Sequence, residues 1–496
     1  MPLHVAAHLK HPAAFSTITS TNRRKRLTQA ALTLRCTLSV RSEVDVAIVG
    51  GGPGGLAAAA AIVSALGDDV RVKVYESMKG YRLQGSGVGL NANAQRALEA
   101  INPELLARFK SHGTSVNSSK LFNLQGSFTG QSKSFKEDSA KLEDKYGIRL
   151  FVLGWHEIRQ LLYEHLPSEL VEFDKQLTHY DSDKDGVTLH FDRGQPAVHA
   201  KVLVGADGYF SKVRAQCLDD GPPQFANMVM WRARIGWQEG MPEPSVSMGY
   251  RDPGATGLSH PFAIIFQMGT LESTKDRSWT WILAAPMETV QKAGVDFNPD
   301  TRTVTAIQGD AASGSAFENA MRVFADFPQL LLDIVKSTDP TTESGQQQHQ
   351  SSQPHSDPQQ PPPELQGMGE SSRYGSYLGQ RQSSEQESEG VWGKGRVTLL
   401  GDAAHATIPN GQGLCLAMED AVVLAWHLRR QGFTSQALRS YEQERLPRVK
   451  TIHVKGVDSA TVEDKEKYLF KPTFKPLWQD QADQNDTPTC IVGFDH

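Results

Sequence analysis

The chain has 496 residues, of which 39% are hydrophobic and 22% charged, and its formal net charge at pH 7 is −5. This balance is typical of a globular protein of about three domains, or of two elaborated ones. The sequence has no long basic stripe and no run of roughly 18 or more apolar residues, so neither nucleic-acid binding nor a transmembrane segment is predicted.

The first 42 residues contain seven Lys or Arg and ten Ser or Thr, but no Asp or Glu. A basic, Ser-rich and acid-free N-terminus is typical of an organelle transit peptide, whereas a secretory signal has an uninterrupted apolar core. Residues 34–37 (LRCT) are similar to plastid processing sites. We therefore predict that 1–42 is a transit peptide and that the protein is in the chloroplast; the alternatives are a mitochondrial transit peptide and a plain basic tail.

Residues 44–76 show the pattern strand, turn, helix, strand. Asp45–Val49 is a short apolar run of the kind that forms buried parallel strands. A Gly-rich turn follows, then an Ala-rich helix predicted over Leu56–Leu66 and a second strand over Val70–Tyr75. A βαβ unit of this length specifies a parallel sheet with helices on its faces.

Further elements follow this unit. Helices are predicted near 91–101 and 155–165, and strands at 171–178, 187–192 and 201–204. From about residue 221 to 290, Trp-containing stretches such as Met228–Ile235 and Ser278–Ala284 alternate with Gly and Pro turns. This sequence pattern is typical of an antiparallel sheet and predicts a second domain.

Residues 341–390 contain eleven Gln and no Val, Ile, Phe or Trp. Such a segment cannot bury enough apolar surface to offset its ordering entropy, so a low-complexity insertion is predicted. Part of 372–382 is predicted to be a strand of the fold, and order is predicted to resume at Val391. The four cysteines, Cys36, Cys217, Cys415 and Cys490, are far apart and form no CxxC pair, so neither a disulfide framework nor a metal site is predicted.

The first motif that carries chemistry is the GxGxxG spacing of Gly50, Gly52 and Gly55. The first glycine permits a tight turn, the second lets a pyrophosphate approach the backbone, and the third lets helix and strand pack closely. The following helix offers free N–H groups and a positive dipole end to the phosphates. Glu76, at the end of the second strand, is placed to accept hydrogen bonds from a ribose 2′-OH. Together these residues predict a dinucleotide site.

Two further motifs each follow a predicted strand. Residues 205–214 read GADGYFSKVR, and residues 401–413 read GDAAHATIPNGQG ahead of a helix predicted from Leu414 to about Arg430. With the sequence YEQERLPR at 441–448, these elements in this order resemble the class A FAD-dependent monooxygenase family, which includes aromatic hydroxylases, salicylate-hydroxylase-like enzymes and zeaxanthin-epoxidase-like enzymes. The resemblance covers most of residues 44–455.

The resemblance implies the fold class. It is α/β, with a Rossmann-like FAD-binding domain that contains the GxGxxG βαβ unit and a smaller, mainly antiparallel β-sheet substrate domain. The predicted boundaries are 43–120, 150–220 and 391–455 for the FAD-binding domain, 121–149 and 221–340 for the substrate domain, 341–390 for the insertion and 456–496 for a C-terminal tail.

The resemblance also implies which residues contact FAD. Asp402 would bind the ribityl chain, and Asp207 and Gly208 would line the cleft near the FAD pyrophosphate and the NAD(P)H path. Arg82 would contact a phosphate or the ribityl chain, and Pro409 would flank the flavin ring. The backbone N–H groups from Gly411 to Gly413 would stabilise negative charge on the reduced flavin.

Other polar and aromatic residues near these motifs are given structural roles. No side chain is assigned as a catalyst, because the chemistry would be centred on the flavin. His405 is expected to pack or to bond the backbone, and Cys415 to be a small packing residue. Trp231 and Trp281 are expected in the core or the pocket wall. Whether Arg159 replaces an FAD-contacting arginine of the family is left open.

The implied reaction uses FAD as cofactor and NAD(P)H as co-substrate. O₂ would add to C4a of the reduced flavin as a hydroperoxide, and one oxygen atom would pass to a small phenolic or isoprenoid substrate. Hydroxylation and epoxidation, and NADH and NADPH, are left open, as is the oligomeric state. The alternatives are a flavin-dependent reductase or halogenase on the same fold, and a non-catalytic flavin-binding protein.

Overall fold

A computed structural model gives the structure of most of the chain. The residues that it describes are 42–67, 69–81, 86–131, 137–221, 224–225, 227–236, 246–252, 260–268, 278–298, 303–306, 316–338, 379–380, 392–406, 411–455, 462–471 and 474–477. Arg82, Pro409, nearly all of the predicted transit peptide and most of the predicted insertion lie outside them. Of the tail, 462–471 and 474–477 are described.

Among the described residues, seven strands form a mixed first sheet. Six of them have the spatial order Val171–Glu172, Val72–Tyr75, Ser42–Val49, Val198–Gly205, Val187–Phe191 and Leu177–Ser182. The seventh, Val397–Leu399, pairs in parallel with the second half of Val198–Gly205, whose first half pairs with Val187–Phe191. The pairs that involve the βαβ unit are parallel, as predicted, and the last two strands in the order form an antiparallel hairpin.

The single strand predicted at 171–178 is wrong in detail, because the chain breaks there into Val171–Glu172 and Leu177–Ser182. Asp174 lies between the two pieces with a φ of 60°, in the left-handed region that strands do not use. Its carboxylate accepts hydrogen bonds from Arg193, at 2.7 and 3.0 Å. The turn therefore sends the chain from one edge of the first sheet to the other.

Helices cover the faces of the two large sheets and connect their strands. Their bounds are Pro53–Leu66, Ala92–Ile101, Pro103–His112, Glu137–Tyr146, Trp155–His165, Lys212–Leu218, Met287–Lys292, Ala316–Val323, Gln329–Lys336, Asp402–His405, Gly413–Gln431, Ser435–Lys455 and Val462–Lys465, with short turns of helix at Ser168–Leu170, Asp192–Gly194 and Glu466–Phe470. Pro53–Leu66 begins three residues before the predicted start, since proline is favoured at the first helical position. None of the described helices combines the length and apolarity that crossing a membrane requires.

Six described strands form a second sheet, which is antiparallel apart from one pair. Its order is Met228–Gly236, Ser278–Pro286, Phe262–Met268, Val246–Arg251, Ser118–Phe122 and Phe128–Gln131. One face packs against the helices Ala316–Val323 and Gln329–Lys336 around Trp231 and Trp281, which are 3% and 4% exposed. These tryptophans therefore belong to the core, as expected.

Smaller sheets complete the described structure. They pair Gly87–Leu90 and Thr114–Ser115 with Phe151–Gly154, Val295–Asn298 with Thr303–Ala306, and Gln224–Phe225 with Gly379–Gln380. The last pair contains the part of 372–382 that was predicted to be a strand. The chain therefore has the predicted α/β fold, with a Rossmann-like sheet and a smaller, mainly antiparallel sheet.

Candidate functional site

The three sequence motifs meet at the carboxyl ends of neighbouring strands in the first sheet. Ser42–Val49, Val198–Gly205 and Val397–Leu399 are neighbouring parallel strands, in which Val49 is the register partner of Gly205 and Gly205 that of Leu399. The three motifs begin at Gly50, Gly205 and Gly401, which lie at the end of these strands or within two residues after it. Because ligands of open α/β sheets bind outside the carboxyl ends of the strands, the three motifs form one candidate site.

The glycines of the first motif differ in what surrounds them. Gly50 has a φ of 109°, and a Cβ there would lie 2.3 Å from the carbonyl oxygen of Ala206. A Cβ on Gly55 would lie 2.0 Å from the carbonyl oxygen of Gly50. At Gly52, by contrast, a Cβ would meet nothing within 4 Å. Packing therefore requires Gly50 and Gly55, whereas Gly52 borders open space, as a residue that a pyrophosphate approaches should.

This open space lies before the N-terminus of Pro53–Leu66. Gly52 is the N-cap of that helix, and no side chain caps it. The N–H groups of the first turn and the positive end of the helix dipole are therefore available to an anion. The geometry fits the FAD pyrophosphate that the motif predicts.

Glu76 is almost fully buried beside the glycine turn. One carboxylate oxygen accepts from the N–H of Gly51 at 2.8 Å, and the other accepts from the N–H of Met78 at 2.8 Å and the hydroxyl of Ser77 at 3.1 Å. A carboxylate has about four acceptor positions, so one is left for a ribose hydroxyl. Glu76 thus fixes the turn as well as being placed for the predicted ribose contact.

Arg159 contacts Tyr81, which in turn contacts the glycine turn. The hydroxyl of Tyr81 donates to the carbonyl of Gly51 at 2.8 Å, and the guanidinium of Arg159 lies 4.1 Å from the Tyr81 ring centroid and 4.7 Å from that of Trp155. Burial lowers the pKa of Arg159, and the side chain is 2% exposed. In this structure Arg159 therefore supports the turn through Tyr81.

Asp207 caps the helix Lys212–Leu218. Its carboxylate accepts from the hydroxyl of Ser211 at 2.5 Å and from the N–H groups of Lys212 and Val213 at 2.7 and 3.1 Å. Burial raises the pKa of Asp207 against these hydrogen bonds. The next residue, Gly208, has a φ of 74°. Asp207 thus shapes the turn after its strand, and its contact with FAD or NAD(P)H stays a prediction.

Arg214 connects the second motif to the third. It is 3% exposed, and its Nη1 donates to the carbonyls of Ala404 and Ala403 at 2.6 and 3.3 Å. Its Nε donates to Asp220 at 2.6 Å. This contact, which no sequence motif predicts, fixes the two strand-end turns relative to one another.

Asp402 stands in the wall of the candidate site. Its side chain is exposed to solvent and yet closely surrounded by protein, which raises the pKa of its carboxyl group against the opposing influence of His405. No hydrogen bond to this carboxylate occurs in the described part of the chain. Its Oδ1 lies 3.6 Å from where a Cβ on Gly413 would be. Asp402 therefore has acceptor oxygens available beside the start of Gly413–Gln431, as a ribityl-binding carboxylate needs.

The start of Gly413–Gln431 is a second uncapped helix N-terminus. Gln412 is its N-cap, but the Gln412 side chain does not cap the helix and instead accepts from Asn93 at 3.1 Å. Gly411 before it has a φ of 76°. This helix start lies beside Asp402, whose Oδ1 is close to Gly413. The N–H groups at this helix start can stabilise a developing negative charge, as predicted for Gly411 to Gly413.

A buried ion network, which the sequence motifs do not predict, connects the two long C-terminal helices next to the third motif. Glu419 accepts from Arg445 at 2.6 Å, from Arg448 at 2.5 and 2.6 Å, and from Asn93 at 2.6 Å. Burial opposes the charge of Glu419, but Arg448 and Arg445 outweigh it and lower its pKa. The closing signature 441–448 therefore joins Ser435–Lys455 to Gly413–Gln431.

The neighbouring Asp420 holds the third motif. It accepts from Arg445 at 2.7 Å and from the N–H of Gly401 at 3.0 Å, and it lies 2.6 Å from Nε2 of His405. Burial would raise the pKa of Asp420, but His405 and Arg445 lower it to about 2. His405 is buried and packs as expected, although its hydrogen-bond partner is this carboxylate and not the backbone. Cys415 is also buried, which raises the pKa of its thiol to about 11.

Most of the sequence matches a family model and curated monooxygenases. A sequence model of the family described as the FAD binding domain matches residues 43–298 and 380–455. Among curated relatives, 3-amino-4-hydroxybenzoate 2-monooxygenase of Streptomyces platensis is 25% identical over 82% of this chain and 85% of its own length. The 6-methylsalicylate 1-monooxygenase of Aspergillus terreus is 24% identical over 84% and 82%.

A similar fold occurs in a solved structure. The Klebsiella pneumoniae protein HpxO, complexed with FAD and uric acid, superimposes with a TM-score of 0.60 at 20% sequence identity, over 86% of this chain and 89% of that one. Because the family model matches more than half of the sequence, the chain belongs to the FAD-binding family of class A monooxygenases. It is an FAD-dependent oxidoreductase of the aromatic-hydroxylase type.

Proposed function

We propose that this protein uses NAD(P)H and O₂ to insert one oxygen atom into an aromatic substrate that carries a negative charge. FAD binding is supported by the position of the three motifs at the carboxyl ends of neighbouring strands, with open space at Gly52 and available acceptors at Asp402. The relatives support the aromatic part, since two of them are named for hydroxybenzoate-type and salicylate-type substrates. A cationic residue of the second sheet supports the proposal that the substrate is negatively charged.

Bound FAD would supply the redox chemistry between NAD(P)H and O₂. The chain would bind it at Gly52 and the N-terminus of Pro53–Leu66, at Glu76 and at Asp402. The N–H groups from Gly411 to Gly413 would stabilise negative charge near the reacting end. The buried network beneath Asp402 would hold these groups in place, and an apolar wall would exclude water.

The second sheet offers such a wall. The sheet face opposite the tryptophan core contacts the strand Gly87–Leu90. A Cβ on Gly87 would lie 2.2 Å from Phe266 and 2.8 Å from the sulfur of Met268. Arg234 on the same face forms an ion pair of 2.5 Å with Glu157 of Trp155–His165. This face is therefore turned toward the candidate flavin site.

Arg232 lies on this face of the second sheet. The register places it in one cross-strand row with Ile282 and Ile264, and all three are partly exposed. No hydrogen bond or ion pair of Arg232 is found in the described residues, and burial lowers the pKa of its guanidinium. A cation in an apolar wall is stabilised by an anion that enters with the ligand. We infer that Arg232 binds a carboxylate or phenolate of the substrate.

Substrate screening tests the proposed reaction. The FAD-loaded protein should oxidise NADH or NADPH slowly alone and faster with hydroxybenzoates and other phenolic acids, with a product heavier by one oxygen atom in mass spectrometry. Carotenoids and other isoprenoid alkenes are the comparison set. Stimulation by the alkenes alone would overturn the aromatic assignment, and no oxygenated product from either set would favour the reductase or the non-catalytic alternative.

Replacing Arg232 tests the charge assignment. Arg232→Met should weaken binding of an aromatic acid by roughly 10- to 150-fold, because a hydrogen bond to a charged group contributes about 1.5–3 kcal/mol. Binding can be followed by the change in flavin absorbance, which does not require turnover. The matched carboxamide should lose little affinity, and Arg232→Lys should fall between. Equal loss for acid and carboxamide would show that Arg232 acts through packing.

We also propose that the protein acts in the chloroplast, on the composition of residues 1–42. Residues 1–50 fused to a fluorescent reporter should direct it to plastids. Reporter in mitochondria would correct the compartment, and reporter that stays in the cytosol would contradict the transit-peptide prediction.

A further inference from the structure

The hairpin at the outer edge of the first sheet brings two imidazoles and a carboxylate together. His179 and Asp181 are two residues apart on Leu177–Ser182, so their side chains share one face. The register makes His190 the partner of His179 and Thr188 the partner of Asp181, which places His190 on that same face. This cluster is separate from the candidate flavin site.

The three side chains are arranged closely. The rings of His179 and His190 are stacked with centroids 4.4 Å apart and planes 3° apart, and Nε2 of His190 lies 2.9 Å from Oδ2 of Asp181. One ligand atom from each residue lies within 4.8 Å of the others. We propose that His179, Asp181 and His190 form a binding site for a divalent transition-metal ion.

The neighbouring Thr178 orients one of these ligands. Its hydroxyl donates to the carbonyl of His190 at 2.9 Å and lies 3.1 Å from Nδ1 of His179. A hydroxyl has a single proton, so the second contact requires Nδ1–H of His179 as donor. That tautomer leaves the lone pair on Nε2, which is the nitrogen available to a metal ion. Such a contact to the far nitrogen is a common support of metal-binding histidines.

The ligand set decides the class of ion. Two imidazoles with one carboxylate suit zinc, copper or nickel, whereas magnesium and calcium prefer oxygen ligands alone. Ligand atoms around zinc stand about 3.3 Å apart, given bonds of about 2.0–2.1 Å. Asp181 is 76% exposed and His190 33% exposed, so small side-chain rotations can close the site. Water would complete the coordination.

Titration calorimetry of the full-length, tag-free holoprotein with zinc chloride tests the proposal. The unmodified protein should bind one Zn²⁺ saturably at this site, and magnesium should not compete. Asp181→Asn and the double variant His179→Gln/His190→Gln should weaken that binding by at least about 10-fold, and Thr178→Val by about 10-fold. His112→Gln, at an exposed histidine elsewhere, is the matched control and should bind as the unmodified protein does.

Flavin absorbance and circular dichroism should be the same in all variants, because the cluster is at the surface. Absence of saturable zinc binding in the unmodified protein would overturn the proposal. So would undiminished binding in the double variant, since the ion would then be held elsewhere. Cobalt(II) in place of zinc gives a visible spectrum that should disappear in the double variant.

Discussion

Replacing Asp402 by Ala should yield a folded protein that purifies largely without FAD. The carboxylate stands at the carboxyl end of Val397–Leu399 and has no hydrogen bond from the described residues, so its oxygens are available to ribityl hydroxyls. Each charge-assisted hydrogen bond contributes about 1.5–3 kcal/mol. Losing one or two should weaken FAD binding by roughly 10- to 10⁴-fold. The ratio of flavin to protein absorbance measures occupancy.

Two further variants sharpen this test. Asp402→Asn should bind FAD better than Asp402→Ala, because its amide oxygen still accepts a hydrogen bond. Glu76→Ala should also lower occupancy, since it would remove the proposed ribose contact and removes the acceptor that holds the N–H of Gly51. Circular dichroism confirms folding in each case. Full FAD occupancy of Asp402→Ala with a loss of turnover alone would place this carboxylate against the substrate.

Replacing Arg445 by Met should destabilise the protein strongly. Arg445 is 0% exposed and bonds both Glu419 and Asp420, which are themselves fully buried. Removing one partner of a buried ion pair costs about 3–5 kcal/mol, and here two buried carboxylates would lose a cation and keep only Arg448 and His405 as partners. Total stabilities of about 5–15 kcal/mol make that a large share. Urea unfolding at saturating FAD measures the loss.

The chain supplies a matched control for this prediction. Arg108 pairs with Glu164 at 2.8 Å, but both side chains are exposed, at 40% and 47%. Arg108→Met should therefore cost about 0–1 kcal/mol. Arg445→Lys keeps the charge but loses the fork that reaches both acids, so it should fall between the two. A loss for Arg445→Met no larger than for Arg108→Met would show that the network adds little to stability.

Local pattern was sufficient to predict the part of the site that lies on neighbouring strands. The apolar runs at Asp45–Val49 and Val397–Leu400 predict buried parallel strands, and parallel strands necessarily end at the same edge. Gly50 and Gly55 are fixed by backbone contacts within one βαβ unit. Such short-range relations can be read from spacing alone.

Relations that depend on tertiary packing could not be predicted in this way. Arg445 and Glu419 lie on different helices, and nothing in their spacing shows that they face each other. The sequence likewise does not show that His179 and His190 are neighbours, because only the hairpin register brings them together. Spacing also does not show which face of the second sheet Arg232 occupies, or that no described residue forms an ion pair with it.

Oxygen-isotope labelling tests the proposed monooxygenase reaction most directly. The FAD-loaded protein is incubated with NAD(P)H and an aromatic acid that stimulates its oxidation, under ¹⁸O₂ in ordinary water. We predict a product that contains one ¹⁸O atom, because the other oxygen atom of O₂ leaves as water. An oxygenated product with its oxygen from water, or NAD(P)H oxidation that yields only hydrogen peroxide with every substrate, would contradict the proposed function.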